Sequence, residues 1–231
     1  MPHGEDVIKP INQLLTLPFA LKIASKDWHP KDHVSFASNH PGAETYSTMV
    51  TIKNPKNTSE TYDSLLWPNH CVQMTPGASL HRDLDLRRID KILEKGTMRD
   101  VEMYSAFYPP LQSPRVGDSG LAKMLRENGI TDVYCVGLAA DYCVGATAAD
   151  AAKEGFRSWI VDEATRAVMD EQWQKDKKNL SALRSGVKLI HIDGPEVHKV
   201  REIVADGVKV LNEVKQNGDR GLKVSELPTA K

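Results

Sequence analysis

Cys143 stands where a chain could make a nucleophile. In ITDVYCVGLAADYCVGATAADAAKEG, residues 130–155, an apolar run (Val133, Tyr134, Cys135, Val136, Leu138) gives way to small residues and then to an alanine-rich stretch, 146–152. The pattern predicts a strand, a tight turn and a helix opening at Cys143, with Gly155 just past its end. A thiol at a helix start lies among free backbone N–H groups at the positive end of the helix dipole. That setting favours the thiolate, which is the nucleophilic form. Most unpaired cysteines are instead small buried hydrophobes, and the local pattern leaves both readings open. A second set of residues suits metal chemistry. In Ser25-Lys26-Asp27-Trp28-His29-Pro30 a carboxylate and an imidazole lie two residues apart, so an extended chain points both the same way. Trp67-Pro68-Asn69-His70-Cys71 supplies another imidazole. One Asp and two His are suitable ligands for zinc or a similar divalent ion, although spacing alone does not position His70.

The elements that must hold these residues alternate along the chain. Glu5 to Leu17 has a helical stripe (Val7, Ile8, Ile11, Leu14, Leu15) interrupted by Pro10. Ala20 to Ser25 predicts a short strand that ends at Asp27. From Pro30 to Pro68 the chain is rich in Ser, Thr, Asn, His and Pro and predicts a long irregular segment, of the kind used for lids and binding loops. Ile89 to Glu94 alternates like a strand and delivers Lys95 at its end. Asp118 to Asn128 reads as an amphipathic helix closed by Gly129. After the cysteine unit come a strand at Arg157 to Val161, a polar helix at Asp170 to Leu183 and a strand at Val187 to Ile192. A last helical stripe runs through Val197, Val200, Val204, Val208 and Leu211. Strands separated by helices imply an α/β fold of three layers, a mostly parallel sheet with helices on both faces. One domain over residues 1–215 is expected, with a polar, frayed tail over 216–231. In such sheets ligands bind beyond the carboxyl ends of the strands. Asp27, Lys95 and the turn before Cys143 all fall there, which favours the catalytic reading of Cys143.

Bulk properties exclude more than they assign. The 231 residues carry 30 basic and 31 acidic side chains, a formal charge of −1, so nothing advertises nucleic acid or an anionic membrane. No apolar run is long enough to span a bilayer. Three cysteines make an odd, sparse set that suits a reducing compartment rather than a disulfide scaffold, and the expected location is the cytoplasm; nucleus and peroxisome are alternatives on which composition is silent. A homo-oligomer is compatible with the sequence.

Five segments together resemble one family. DWHP, WPNHC, the EKG of Glu94 to Gly96, EMYSAF of Glu102 to Phe107 and VGLAADYCVGATAADAAKEGF are similar, in order, to the nicotinamidase branch of the isochorismatase-like cysteine hydrolases. The resemblance runs from about Gly4 to about Gly194. It implies hydrolysis of nicotinamide to nicotinate and ammonia, a step of NAD salvage, with pyrazinamide often accepted. It assigns Cys143 as nucleophile and Lys95 as the lysine of the triad. Asp27, His29 and His70 become ligands of a divalent metal, most simply Zn2+, that holds the pyridine nitrogen; Glu102 is a weaker transfer to the metal site. It also implies a cis peptide between Leu138 and Ala139, which aims the N–H groups of Ala139 and Cys143 at the substrate carbonyl. Trp67, Tyr104 and Tyr142 are expected to wall the ring pocket. The chemistry is coherent in itself: an amide oxygen needs paired donors as it becomes an oxyanion, the thiolate needs a cation, and the departing ammonia needs a proton.

The chain also departs from the pattern. Family members place a D-x-Q-x-D-F signature at the end of a central strand, and its first Asp exchanges the proton of the thiol. No segment matches it, and Asp6 belongs to the following helix. The expectation is a sheet without its first central strand and a triad without its carboxylate. A catalytically inactive metal- or ligand-binding homologue, acting as an interaction partner, is the alternative function. Gly145 is a smaller departure, since relatives often carry a larger polar residue there.

Overall fold

The computed structural model describes residues 3–180, 184 and 186–202. The first amphipathic segment begins as a 3-10 turn at Gly4–Val7 and continues as helix α1, Ile8–Leu15, with Pro10 in its first turn, where its missing N–H costs nothing. Strand β1, Ile23–Asp27, follows. The region expected to be irregular instead holds an antiparallel hairpin, β2 (Met49–Asn54) and β3 (Asn57–Leu65), turned through Pro55 and Lys56. β2 turns only two apolar residues, Val50 and Ile52, inward and β3 is mostly polar even where it is partly buried, so the apolar alternation that marks a strand in sequence is too short to read. Strand β4 is Lys91–Lys95 and helix α2 is Leu121–Glu127.

The cysteine unit is strand β5, Asp132–Leu138, a π-type turn over Ala140–Val144, and helix α3, Gly145–Lys153. The helical turn thus opens at Ala140, three residues before the position expected from sequence, and Cys143 lies inside that first turn. Strand β6, Arg157–Arg166, runs well beyond the predicted end at Val161. Helix α4, Asp170–Asp176, and strand β7, Val187–Ile190, complete the named elements, and residues 195–202 are helical. The expected helical stripe beyond residue 202 and the tail over 216–231 lie outside the described residues.

Alternation along the inner strands builds the layers. On one face Cys135 of β5 and Ile160 of β6 pack on Val144 and Ala148 of the cysteine unit and on Trp173 of α4. On the other, Val161 of β6 and the partly buried Tyr134 and Val136 meet Leu14 of α1 and Val197. That is the three-layer α/β architecture expected for parallel strands.

The parallel sheet is in two pieces. β1 pairs in parallel with β4, and β5 pairs with β6, which pairs with β7. Among the described residues no ladder joins β1 to β5. Ile23 of β1 and Val133 of β5 pack against one shared core cluster, yet both strands remain only partly buried. Leu138, at the end of β5, is 42% exposed.

Candidate active site

Each half of the split sheet brings chemistry to its carboxyl edge. Asp27 ends β1 and Lys95 ends β4, in register as a cross-strand pair. Lys95 is almost fully buried, and its ammonium lies 2.5 Å from Asp27 Oδ1. It also donates to the Met103 carbonyl at 2.8 Å and to Cys143 Sγ at 3.4 Å. One cation therefore ties the β1–β4 half to the cysteine of the β5 half.

The electrostatics of this trio are strongly coupled. Burial alone would lower Lys95, but Cys143 and Asp27 more than offset it and hold the ammonium above its usual range. Burial opposes the charge on Asp27, and Lys95 and His29 overcome that and keep the carboxyl below its usual value. Cys143 retains some exposed surface, but burial of its sulfur pushes the thiol up to about 11 despite the pull of Lys95. The sequence suggested a thiol eased toward thiolate by the helix start. Burial works the other way, and it outweighs the pull of Lys95 on the sulfur.

The cis peptide lies between Leu138 and Ala139. Beyond it the Ala139 carbonyl accepts from the N–H groups of Tyr142 and Val144 at 3.1 and 3.0 Å. The Asp141 carboxylate accepts from the N–H groups of Val168 and Met169 at 3.0 and 2.8 Å, fastening the turn to the segment after β6.

Asp27, His29 and His70 converge as a second group, with one donor atom of each within 4.8 Å of the others. Asp27 Oδ2 is 3.8 Å from His29 Nε2 and 3.9 Å from His70 Nε2. These gaps are too long for hydrogen bonds. Each imidazole uses its other nitrogen on a main-chain carbonyl: His29 Nδ1 lies 2.8 Å from the Gly96 oxygen and His70 Nδ1 lies 2.8 Å from the Pro68 oxygen. That bond places the proton on Nδ1 and leaves the Nε2 lone pair facing the carboxylate. Burial keeps His29 neutral by lowering its pKa. Three lone-pair donors facing one another repel unless a cation lies between them, so the residues fit a divalent metal.

Glu102 does not join this group; it belongs with His29 and His33 in a fully buried cluster. Its Oε1 accepts from the Met103 N–H at 2.7 Å. His33, which the sequence reading missed, stacks 4.2 Å from the His29 ring and has both nitrogens engaged, with Ser35 Oγ at 2.7 Å and the Val101 carbonyl at 3.2 Å. Burial pulls its pKa down to about 4. Phe36, also missed, is fully buried and packs edge-on against the rings of His29 and His70, 5.6 and 5.5 Å away. The D-x-H-x-x-x-H spacing offered a signal for His33; a lone Phe offers none. Cys71 is half-buried, its thiol pushed up to about 11 by burial, and its carbonyl accepts from the His29 N–H.

Three aromatic residues come together beside these groups. Trp67 meets Tyr142 at 4.6 Å between ring centroids and Tyr104 at 6.4 Å, and the two tyrosines are 5.4 Å apart. Trp67 Nε1 donates to the Tyr104 hydroxyl at 3.0 Å, which fixes the corner. A surface cavity of about 540 Å³ is lined by the end of β6, from Asp162 to Arg166, and by α4, and includes neither Cys143 nor Lys95; one of about 260 Å³ opens on Lys95, Gly96 and Met103.

Known proteins resemble the chain over most of its length. An isochorismatase domain matches residues 35–192. A nicotinamidase of Acinetobacter baylyi is 40% identical over 193 residues, 81% of this chain and 82% of the relative. The yeast nicotinamidase bound to the inhibitor nicotinaldehyde superposes with a TM-score of 0.74 at 33% identity, covering 83% of this chain and 90% of the other. A pyrazinamidase of Pyrococcus horikoshii in complex with zinc gives 0.60 at 31% identity, covering 83% and 88%.

Proposed function

This chain belongs to the isochorismatase family, in its nicotinamidase branch, and from that membership we propose that it hydrolyses nicotinamide to nicotinate and ammonia. The observation that carries the reading is the single ammonium of Lys95, which touches both Cys143 Sγ and Asp27. It couples a nucleophile to a ring-binding centre in one site.

In this reading Cys143 Sγ attacks the amide carbon, ammonia leaves with a proton, and water hydrolyses the resulting thioester to the acid. Lys95 stabilises the thiolate. Ala139 and Cys143 N–H groups serve the developing oxyanion, a contribution whose loss typically costs on the order of 3 kcal/mol. Asp27, His29 and His70 would hold a divalent cation, zinc, which supplies a Lewis-acid contact for the pyridine nitrogen. Trp67, Tyr104 and Tyr142 wall the ring. The cellular role is NAD salvage and the compartment the cytoplasm.

A second reading has its own support. Lys95 is already protonated and Asp27 is engaged by it, so neither takes the thiol proton; among the described residues no counterpart of the family's strand-borne Asp stands at the sulfur. A homologue that binds metal and ligand without turnover fits that observation. Ammonia release separates the two, measured on nicotinamide, pyrazinamide and an aliphatic amide with zinc present. The amidase reading expects nicotinamide turnover abolished by Cys143→Ala. Ligand binding without Cys143-dependent turnover would establish the second reading.

A further inference from the structure

Arg184 comes from the segment before β7, far in sequence from the cysteine turn, yet it ends against it. Its Nη2 donates to the Asp141 carbonyl at 3.1 Å. The guanidinium also occupies the space over Gly145: a Cβ there would lie 2.6 Å from Arg184 Cζ and 2.7 Å from Nη2. A Cβ at 145 would also meet the Ala140 carbonyl at 2.7 Å, a consequence of the wide π-type turn. The glycine and the arginine are thus complementary, and any side chain at 145 competes with the guanidinium for one place.

The position is costly for a cation. Arg184 is half-buried, and burial holds its pKa below the usual value against the pull of Asp141, Asp176 and Asp150. Its backbone is fastened on both sides, by a bond from its N–H to the Leu180 carbonyl at 2.7 Å and by one from the Val187 N–H to its own carbonyl at 3.0 Å. The Asp141 carboxylate, for its part, is held by the Val168 and Met169 N–H groups. The residue in the middle of the turn is therefore gripped by its side chain from one direction and by its carbonyl from another.

We propose that Arg184 is a positioning residue: seated over Gly145 and bonded to the Asp141 carbonyl, it holds the turn 139–143 in the shape that presents the Ala139 and Cys143 N–H groups to a substrate oxygen. The functional half of this statement rests on the amidase reading; the mechanical half does not. Planarity matters, because a guanidinium can lie flat on a glycine backbone and still donate in its own plane, which an ammonium cannot.

Two measurements test it on Arg184→Met, which keeps bulk, and Arg184→Lys, which keeps charge. The first is hydrogen–deuterium exchange of the free protein. Faster exchange of the 139–143 amides is expected in both variants, with the amides of β5 unchanged; equal exchange in parent and variants overturns the proposal. The second compares affinity for nicotinaldehyde and nicotinate. The Cys143 thiol adds to the aldehyde: an S–C bond forms, the carbonyl π bond breaks, and the thiol proton passes to the former carbonyl oxygen or to solvent. The adduct's tetrahedral oxygen loads the turn's N–H groups more heavily than a planar carboxylate does. The variants are expected to lose about tenfold toward the aldehyde while nicotinate binding stays within about twofold. Equal losses for both ligands, or none, overturn the positioning role. A parent that binds neither ligand overturns the amidase reading, while exchange still decides whether Arg184 holds the turn.

Discussion

Lys95 and Asp27 act on the same sulfur with opposite sign, and their effects can be separated. Burial pushes the Cys143 thiol up to about 11, Lys95 pulls it down and Asp27 pushes it up. Alkylation of Cys143 by iodoacetamide, followed on its own peptide by mass spectrometry, should therefore accelerate with pH until near that value. Lys95→Met removes the cation, raises the thiol further and should slow alkylation at pH 9. Asp27→Asn removes an anion, lowers the thiol and should speed it at the same pH. A tenfold change in rate corresponds to about one unit of pKa. Matching rates in all three proteins would mean that the sulfur does not sense this pair. The residues of this exchange were legible in sequence because each belongs to a short motif at a predicted strand end: Asp27 ending β1, Lys95 ending β4, Cys143 after β5. His33 and Phe36 were not singled out, since they act by packing and by bonds to main-chain carbonyls that only the fold brings near.

Elements explain why the motifs work at all. Gly96, just past β4, has φ +63°, and a Cβ there would overlap the His29 ring. Its carbonyl is also the partner of His29 Nδ1. The turn thus makes room for an imidazole and sets its tautomer. Gly96→Ala should displace His29 and weaken zinc binding by about 10- to 100-fold, the usual effect of disturbing the partner of a metal-binding imidazole. Competition with a chromogenic chelator measures this, and unchanged affinity would mean that His29 does not depend on the turn. Strand ends and helices with clear periodicity were legible at this scale. The hairpin was not, because Asn57–Leu65 is mostly polar even at its partly buried positions, and its clearest sequence cue is the turn at Pro55-Lys56. The helical turn opening at Ala140 was also missed: the alanine-rich periodicity predicts a regular helix, whereas the i to i+5 bond from Val144 to the Ala139 carbonyl widens its first turn.

The whole molecule is held across the gap between β1 and β5 by side chains more than by backbone. Lys95 bridges the two halves at the site, and one apolar cluster spans them beneath it. Inner strands of a parallel sheet ordinarily satisfy their backbone groups on both edges, and each unmet buried group costs about 1–3 kcal/mol. The missing family signature made this split legible in sequence, although which strands would face the gap follows only from the pairing. An extended segment placed between β1 and β5 should therefore do two separable things. Fused ahead of the chain and patterned as alternating apolar residues ending in Asp, it should raise the melting temperature by several degrees through new ladders and buried side chains. Its terminal Asp should bring a carboxylate to the edge where Lys95 and Cys143 meet and raise nicotinamide turnover. The same segment ending in Asn should keep the gain in melting temperature and lose the gain in turnover, because the ladder needs only main chain whereas proton exchange needs the acid. Stabilisation without any difference between Asp and Asn would confine the segment to a structural role. No stabilisation by either would mean that the gap does not accept a strand.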